Sequence, residues 1–231
     1  MKKPLLSLAL MAIPFFGISQ SYFFANFNDG NISNWTLYDR DGDGNNWEPV
    51  ALDEPVGITP AISSYSYDNA SLSPLTPNNF IVTPVINLTG ATAPILKFKV
   101  KAQDVLWPEE TYSVYVSTTN TIASFESATA LLTENASENG PGNEYYTKTI
   151  DLSAYAGQSQ IYIAFRHHDS TDMFAIHIDD VSVAEPPTAA PNCPTQVSPA
   201  NASTNLSYLT QTLSWNAPTS GDVVDSYEIY L

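Results

Sequence analysis

A single cysteine, Cys193, occurs in 231 residues, so no disulfide can form within the chain, and stability has to come from apolar packing or bound ions. Basic residues are also scarce: eight Lys and Arg stand against 24 Asp and Glu, a formal net charge of −16. Two of the eight are Lys2 and Lys3, which leaves six basic residues after position 20 against the same 24 acids. This balance excludes nucleic acid as a partner, because no basic patch exists to displace counterions from a phosphate backbone. It favours bound divalent cations, which relieve self-repulsion. Long apolar runs are missing too. The longest, Leu5 to Phe16, falls short of the ~20 residues of a membrane span. With two lysines before it and Gly17-Ile18-Ser19-Gln20 after it, the segment 1–20 reads as an export signal. The expectation is a secreted or cell-surface protein of the Gram-negative type with no membrane span.

Marks of catalysis are equally sparse. No G-x-S-x-G elbow accompanies the many serines and aspartates. His167 and His168 are adjacent and cannot both face one ion from a strand, while His177 stands alone, so no zinc motif is complete. Glu109 and Glu110, beside Trp107, are neighbours rather than the two separated carboxyls that cleave a glycosidic bond, and they read as an acidic loop at a strand entrance. The chain is expected not to be an enzyme.

Period-two alternation dominates, and no stretch sustains a helical period over three turns. Leu96, Phe98, Val100 and Ala102 alternate with Lys97, Lys99 and Lys101, which predicts a half-buried strand showing its lysines to water. Tyr112, Val114 and Val116 alternate with Ser113, Tyr115 and Ser117, and Ile161, Ile163 and Phe165 with Tyr162, Ala164 and Arg166. Further strands are expected at 22–27, 62–67, 80–86, 145–152 and 174–183. Many short strands divided by Pro, Gly and Asn turns predict an all-β fold, an antiparallel jelly-roll β-sandwich, over 21–185. Residues 186–194 turn abruptly to proline and alanine and read as a linker. In 195–231, "QTLSWNAP" and "DSYEIYL" place Trp215 and Tyr227 as fibronectin type III modules do, so this segment is expected to be the N-terminal part of such a domain, incomplete at Leu231.

The stretch "DRDGDGNNW", Asp39 to Trp47, sets Asp39, Asp41 and Asp43 at alternate positions among glycines and asparagines, the oxygen-rich pattern a hard cation such as calcium takes from a short loop. It fits the first half of an EF-hand loop, but the twelfth position is Val50 and Pro49 obstructs a second helix, which argues against an EF-hand. The alternative is a solvated Asp/Gly turn.

The pieces "FNDG" (27–30), "DRDGDGNNW" (39–47), "NNFIVTPVINL" (78–88), "LKFKVKAQD" (96–104) and "EETYSVYVSTT" (109–119) occur in an order that resembles the cleaved-adhesin, or choice-of-anchor J, domains of gingipain-type secreted proteins. "YYTKTIDLSAYAG" (145–157), "IYIAFRHHDSTD" (161–172) and "IHIDDVSV" (176–183) continue it. The resemblance implies a MAM-like jelly roll, stabilised by calcium, that serves adhesion and is not catalytic. It implies metal ligands at Asp39, Asp41 and Asp43 and, tying the first strand to the last, at Asn28, Asp29, Asp179 and Asp180. The implied partners are extracellular host or matrix proteins or glycans and other domains of the parent protein. Trp47, Trp107, Tyr115 and Tyr162 are candidate exposed aromatics, and Trp107 and Tyr115 the candidate ligand-binding pair. They support an alternative function, a carbohydrate-binding module of a secreted glycan-degrading protein.

Overall fold

The computed structural model describes residues 20–54, 57–186, 195–198 and 214–216. Residues 1–19 of the expected export signal, 187–194 of the linker, Cys193 among them, and most of the expected fibronectin-like segment lie outside them. Along the chain run β1 (Ser21–Ala25), β2 (Thr36–Asp39), β3 (Glu48–Glu54), β4 (Gly57–Tyr65), β5 (Tyr67–Asp68), β6 (Ser73–Pro74) and β7 (Asn79–Val82). There follow β8 (Ile95–Ala102), β9 (Thr111–Ser117), a short helix α1 (Ile122–Ser127), β10 (Leu132–Asn135), β11 (Tyr146–Asp151), β12 (Tyr162–His167) and β13 (Ala175–Ala184). Residues 20–186 form one compact unit. Separately, β14 (Thr195–Ser198) and β15 (Ser214–Asn216) pair antiparallel, with Gln196 opposite Trp215.

Two antiparallel sheets make the sandwich. One has the order β11-β8-β13-β4-β3 with β1 also on β13, and the other β10-β9-β12-β7-β2. β13 gives one edge to two partners in turn: Ala175 to Ile178 pair with β4, and Val181 to Ala184 with β1. The change falls at Asp179 and Asp180, where the register shifts and Asp180 takes a φ of +48°. This is a bulge, so the aspartates do not simply alternate between faces as in a regular strand.

Between the sheets the alternating residues meet as predicted. Phe98 of β8 lies edge-on to Tyr112 of β9 and Phe165 of β12, ring centroids 6.1 and 5.0 Å apart. Each such aromatic adds about 1.5–3 kcal/mol on burial. The outer face of the second sheet departs from expectation. Phe80, Val82, Tyr115 and Ala164 form a second core beneath Phe125 of α1. The helix is started by Thr121, whose side chain accepts from Ser124 N at 3.3 Å. Tyr115 is therefore only 8% exposed, its ring 6.0 Å from that of Phe80, and it offers no face to a ligand. Trp47 is likewise interior, its indole N–H donating to Asn79 O at 3.0 Å. Lys101, expected in water, is buried because the Tyr145 ring covers it at 4.8 Å and Asn143 Oδ1 accepts from its ammonium at 3.2 Å.

Candidate functional site

The loop 39–47 is pinned at both ends to one residue. Asp39 ends β2 opposite Asn79, and Trp47 bonds the carbonyl of that same Asn79. Between these anchors Gly42 and Gly44 have φ of +75° and +85°, a region that costs other residues about 1–2 kcal/mol, and they fold the chain back on itself. The amides this exposes point at the aspartates. Asp39 accepts from Gly42 N (2.6 Å) and Gly44 N (3.0 Å), Asp41 from Asp43 N (3.2 Å) and Asn78 N (2.6 Å), and Asp43 from Asn45 N (2.7 Å). The Gly42 and Gly44 amides hold the Asp39 carboxyl below the usual carboxylate range, whereas burial pushes Asp41 up. Ligand oxygens of Asp39, Asp41 and Asp43 lie within 4.8 Å of one another, the one such group of three metal-ligating side chains among the described residues. All are hard oxygens on a glycine-curled loop, and this donor set fits calcium.

The second implied set is arranged differently. β1 ends at Ala25, opposite Val181, so Asn28 and Asp29 follow close after the pairing with β13 in sequence. Asp29 caps its own turn, accepting from Asn31 N at 2.9 Å, and Asp180 pairs with Lys99 at 2.7 Å. Asp179 accepts from Asp180 N at 2.7 Å, and burial pushes its carboxyl up to about 6. These carboxylates do not converge as those of the loop do.

The histidines are all interior. His177 lies between Ser63 Oγ and Gln103 Oε1, and burial depresses it to about 3. His167 donates or accepts at Ser64 Oγ (2.9 Å) and at Glu110 Oε2 (2.8 Å), and Glu110 Oε1 accepts from Ser66 Oγ at 2.7 Å. Both His167 and Glu110 have side chains at 0% exposure. Glu110 is thus the anchor of a buried network and not part of an acidic surface loop, which is the role of Glu109 alone. Only the tertiary fold brings His167 to it, so no local pattern signals the pair.

His168 completes a Ser-His-Asp series: Ser113 Oγ lies 2.7 Å from Nε2 and Asp169 Oδ2 2.8 Å from Nδ1. The outline is that of a hydrolase triad. Ser113, however, is 1% exposed and shares its hydroxyl with Thr133 Oγ1 at 2.7 Å, so no substrate carbonyl reaches it. Burial also depresses His168.

Trp107 is 55% exposed, at a cavity of about 360 Å³ where the loop after β8 meets the segment entering β13. A second hollow of about 450 Å³ borders the loop 39–47 between Asp41, Asn78, Arg166 and Asp169. Among the described residues no helix is long and apolar enough to cross a membrane.

Residues 21–183 match the family described as Cleaved Adhesin Domain. Gingipain R1 of Porphyromonas gingivalis is 34% identical over 176 residues, covering 68% of this chain and 10% of the relative. Hemagglutinin A of Porphyromonas gingivalis is 39% identical over 174 residues, covering 68% of this chain and 6% of the relative. This chain therefore spans a tenth or less of either relative's length. The crystal structure of the K1 cleaved adhesin domain of Lys-gingipain from Porphyromonas gingivalis W83 superposes with a TM-score of 0.60 at 30% identity, covering 74% of this chain and 99% of that one.

Proposed function

This chain belongs to the Cleaved Adhesin Domain family over residues 21–183, and from that premise we propose that it is a calcium-stabilised, non-catalytic adhesion module of a larger secreted or cell-surface protein. The observation that carries the reading is the extent of the match, which takes in the whole two-sheet sandwich from β1 to β13. Supporting it, the serine beside His168 is sealed from substrate, and the loop of Asp39, Asp41 and Asp43 offers a calcium ion a ready oxygen set. When bound, calcium would cross-link that loop and offset the repulsion of three carboxylates, leaving Asn79 to tie the loop to the sandwich. The partners proposed are extracellular host or matrix proteins or glycans and other domains of the parent protein.

The full chain, passed over a panel of immobilised extracellular-matrix proteins and cell-surface glycoproteins in calcium buffer, is expected to show saturable binding and no turnover of peptide, ester or glycoside substrates. Turnover abolished by one point substitution in a still-folded chain would replace this reading with an enzymatic one. Absence of binding to every member of the panel would remove the adhesive role.

A further inference from the structure

Several segments distant in sequence meet at one end of the sandwich: Tyr67 of β5 and Asn69 after it, the loop holding Asp104 and Trp107, and Asp172 to Phe174 before β13. They line an open cavity of about 360 Å³, within the range of about 300–1,000 Å³ typical of small-ligand sites. Two features show that this end is built rather than incidental.

The first is an exposed indole carried on a fixed backbone. Asp104 Oδ1 accepts from Leu106 N (2.7 Å) and Trp107 N (3.2 Å), which closes the loop on itself. Gly142 packs against it so tightly that a Cβ there would stand 1.9 Å from Asp104 O. The loop nevertheless leaves Val105, Leu106 and Trp107 at 57, 80 and 55% exposure, apolar surface that contributes little to folding.

The second is backbone strain in the segment before β13 that lines the cavity. Asp172 and Phe174 have φ of +60° and +153°, conformations that non-glycine residues hold only when their surroundings impose them. Ser66 imposes them. Its hydroxyl accepts from Met173 N (3.2 Å) and Phe174 N (3.0 Å), its carbonyl accepts from Asp172 N (2.9 Å), and its own amide donates to Phe174 O (2.9 Å). That hydroxyl in turn donates to the buried Glu110, which is bonded to His167, itself held by Ser64. A buried polar chain thus presets the wall before any ligand arrives.

The lining names the ligand class. The carboxylates of Asp104 and Asp172 and the amide of Asn69 offer hydrogen-bond acceptors, no Lys or Arg lines the cavity among the described residues, and Trp107 supplies an apolar plate. Anionic ligands are repelled. A single ammonium group donates to the same acceptors but is small for this volume. A pyranose ring uses all of it, because its hydroxyls donate to the carboxylates while its C–H face stacks on the indole. The geometry points to a binding site for a neutral pyranose residue of a cell-surface glycan at Trp107, Asp104, Asp172 and Asn69, with Ser66 as a positioning residue. This deepens and rests on the adhesive reading.

The test titrates the full chain with a panel of neutral oligosaccharides ending in different hexopyranoses, with a lysine-rich peptide in parallel. The expected result is binding of at least one oligosaccharide that weakens by roughly tenfold or more in both Trp107→Ala and Asp172→Asn. Ser66→Ala is expected to weaken it too, together with faster amide exchange over 169–174 and an unchanged Trp107 loop. Folding of each variant is read from its melting curve. No neutral oligosaccharide bound, binding that survives in both surface variants, or Trp107-dependent capture of the lysine-rich peptide alone would each overturn the site. Binding to the protein panel that persists in Trp107→Ala without any oligosaccharide binding would sink the pocket and leave the adhesive reading standing. Loss of panel and oligosaccharide binding together in the unmodified chain would sink both.

Discussion

Replacing Glu110 by alanine tests the buried network most severely. Glu110 and His167 are both at 0% side-chain exposure, 2.8 Å apart, and Glu110 also accepts the Ser66 hydroxyl at 2.7 Å. Removing one member of such a pair costs about 3–5 kcal/mol, since the groups left behind stay buried without their partner. That is a large share of the roughly 5–15 kcal/mol that holds a typical domain. At about 2–4 °C per kcal/mol for a unit of this size, the melting temperature should fall by roughly 6–20 °C. Glu110→Gln keeps the shape and the acceptor for Ser66 and should lose less than half as much. Since Ser66 holds Met173 and Phe174, amide exchange over 169–174 should quicken in Glu110→Ala ahead of global unfolding. Calorimetric melts and exchange measurements read both effects. A loss below about 1 kcal/mol, or slowed exchange in that segment, would contradict a buried network anchored on Glu110.

Acidification supplies a second check. Burial depresses His168 and His177 in the folded state, so the stability they contribute is complete above the unfolded value of about 6.5 and is lost as pH falls below it, for His177 down to about 3. Urea midpoints should therefore decline from about pH 6.5 downward, with a shallower decline in His168→Gln, and a flat or rising profile would contradict this. Tyr115→Ala should cost about 3–5 kcal/mol by emptying the core under α1, while Trp107→Ala should stay within about 0.5 kcal/mol; equal effects in chemical denaturation would show the two rings misplaced. Glu185 accepts from Thr92 N (2.8 Å), Ala93 N (3.0 Å) and Tyr22 Oη (2.9 Å), and its amide donates to Gln20 O (3.0 Å). Limited proteolysis is accordingly expected to yield a resistant fragment ending near Pro186, and a chain trimmed well inside β13 would argue against that boundary.

The central strands were legible because each buries alternate residues between two sheets. β8, β9 and β12 follow the predicted alternation, and their apolar residues form the core. The edges were not. β3 carries Pro49, tolerated because only β4 pairs with it, and β10, "LTEN", buries too little to show a pattern. α1 is six residues long and hides below any helical period, yet it buries Tyr115. The loop of Asp39, Asp41 and Asp43 was readable because its ligand oxygens are close in sequence. Glu110 with His167, and Trp107 with Asp172, meet only through the fold, and burial of Lys101 depends on Tyr145 of the segment leading into β11.

Calcium titration calorimetry on the full chain, paired with melting curves in calcium and in chelator, addresses the calcium-stabilised adhesion module most directly. The account predicts a saturable heat that Asp41→Asn and Asp43→Asn diminish. It also predicts a stabilisation of about 2.7 kcal/mol at a hundred times the dissociation constant. That corresponds to a rise of roughly 5–11 °C in melting temperature. No heat of binding, with the same melting temperature in calcium and in chelator, would contradict it.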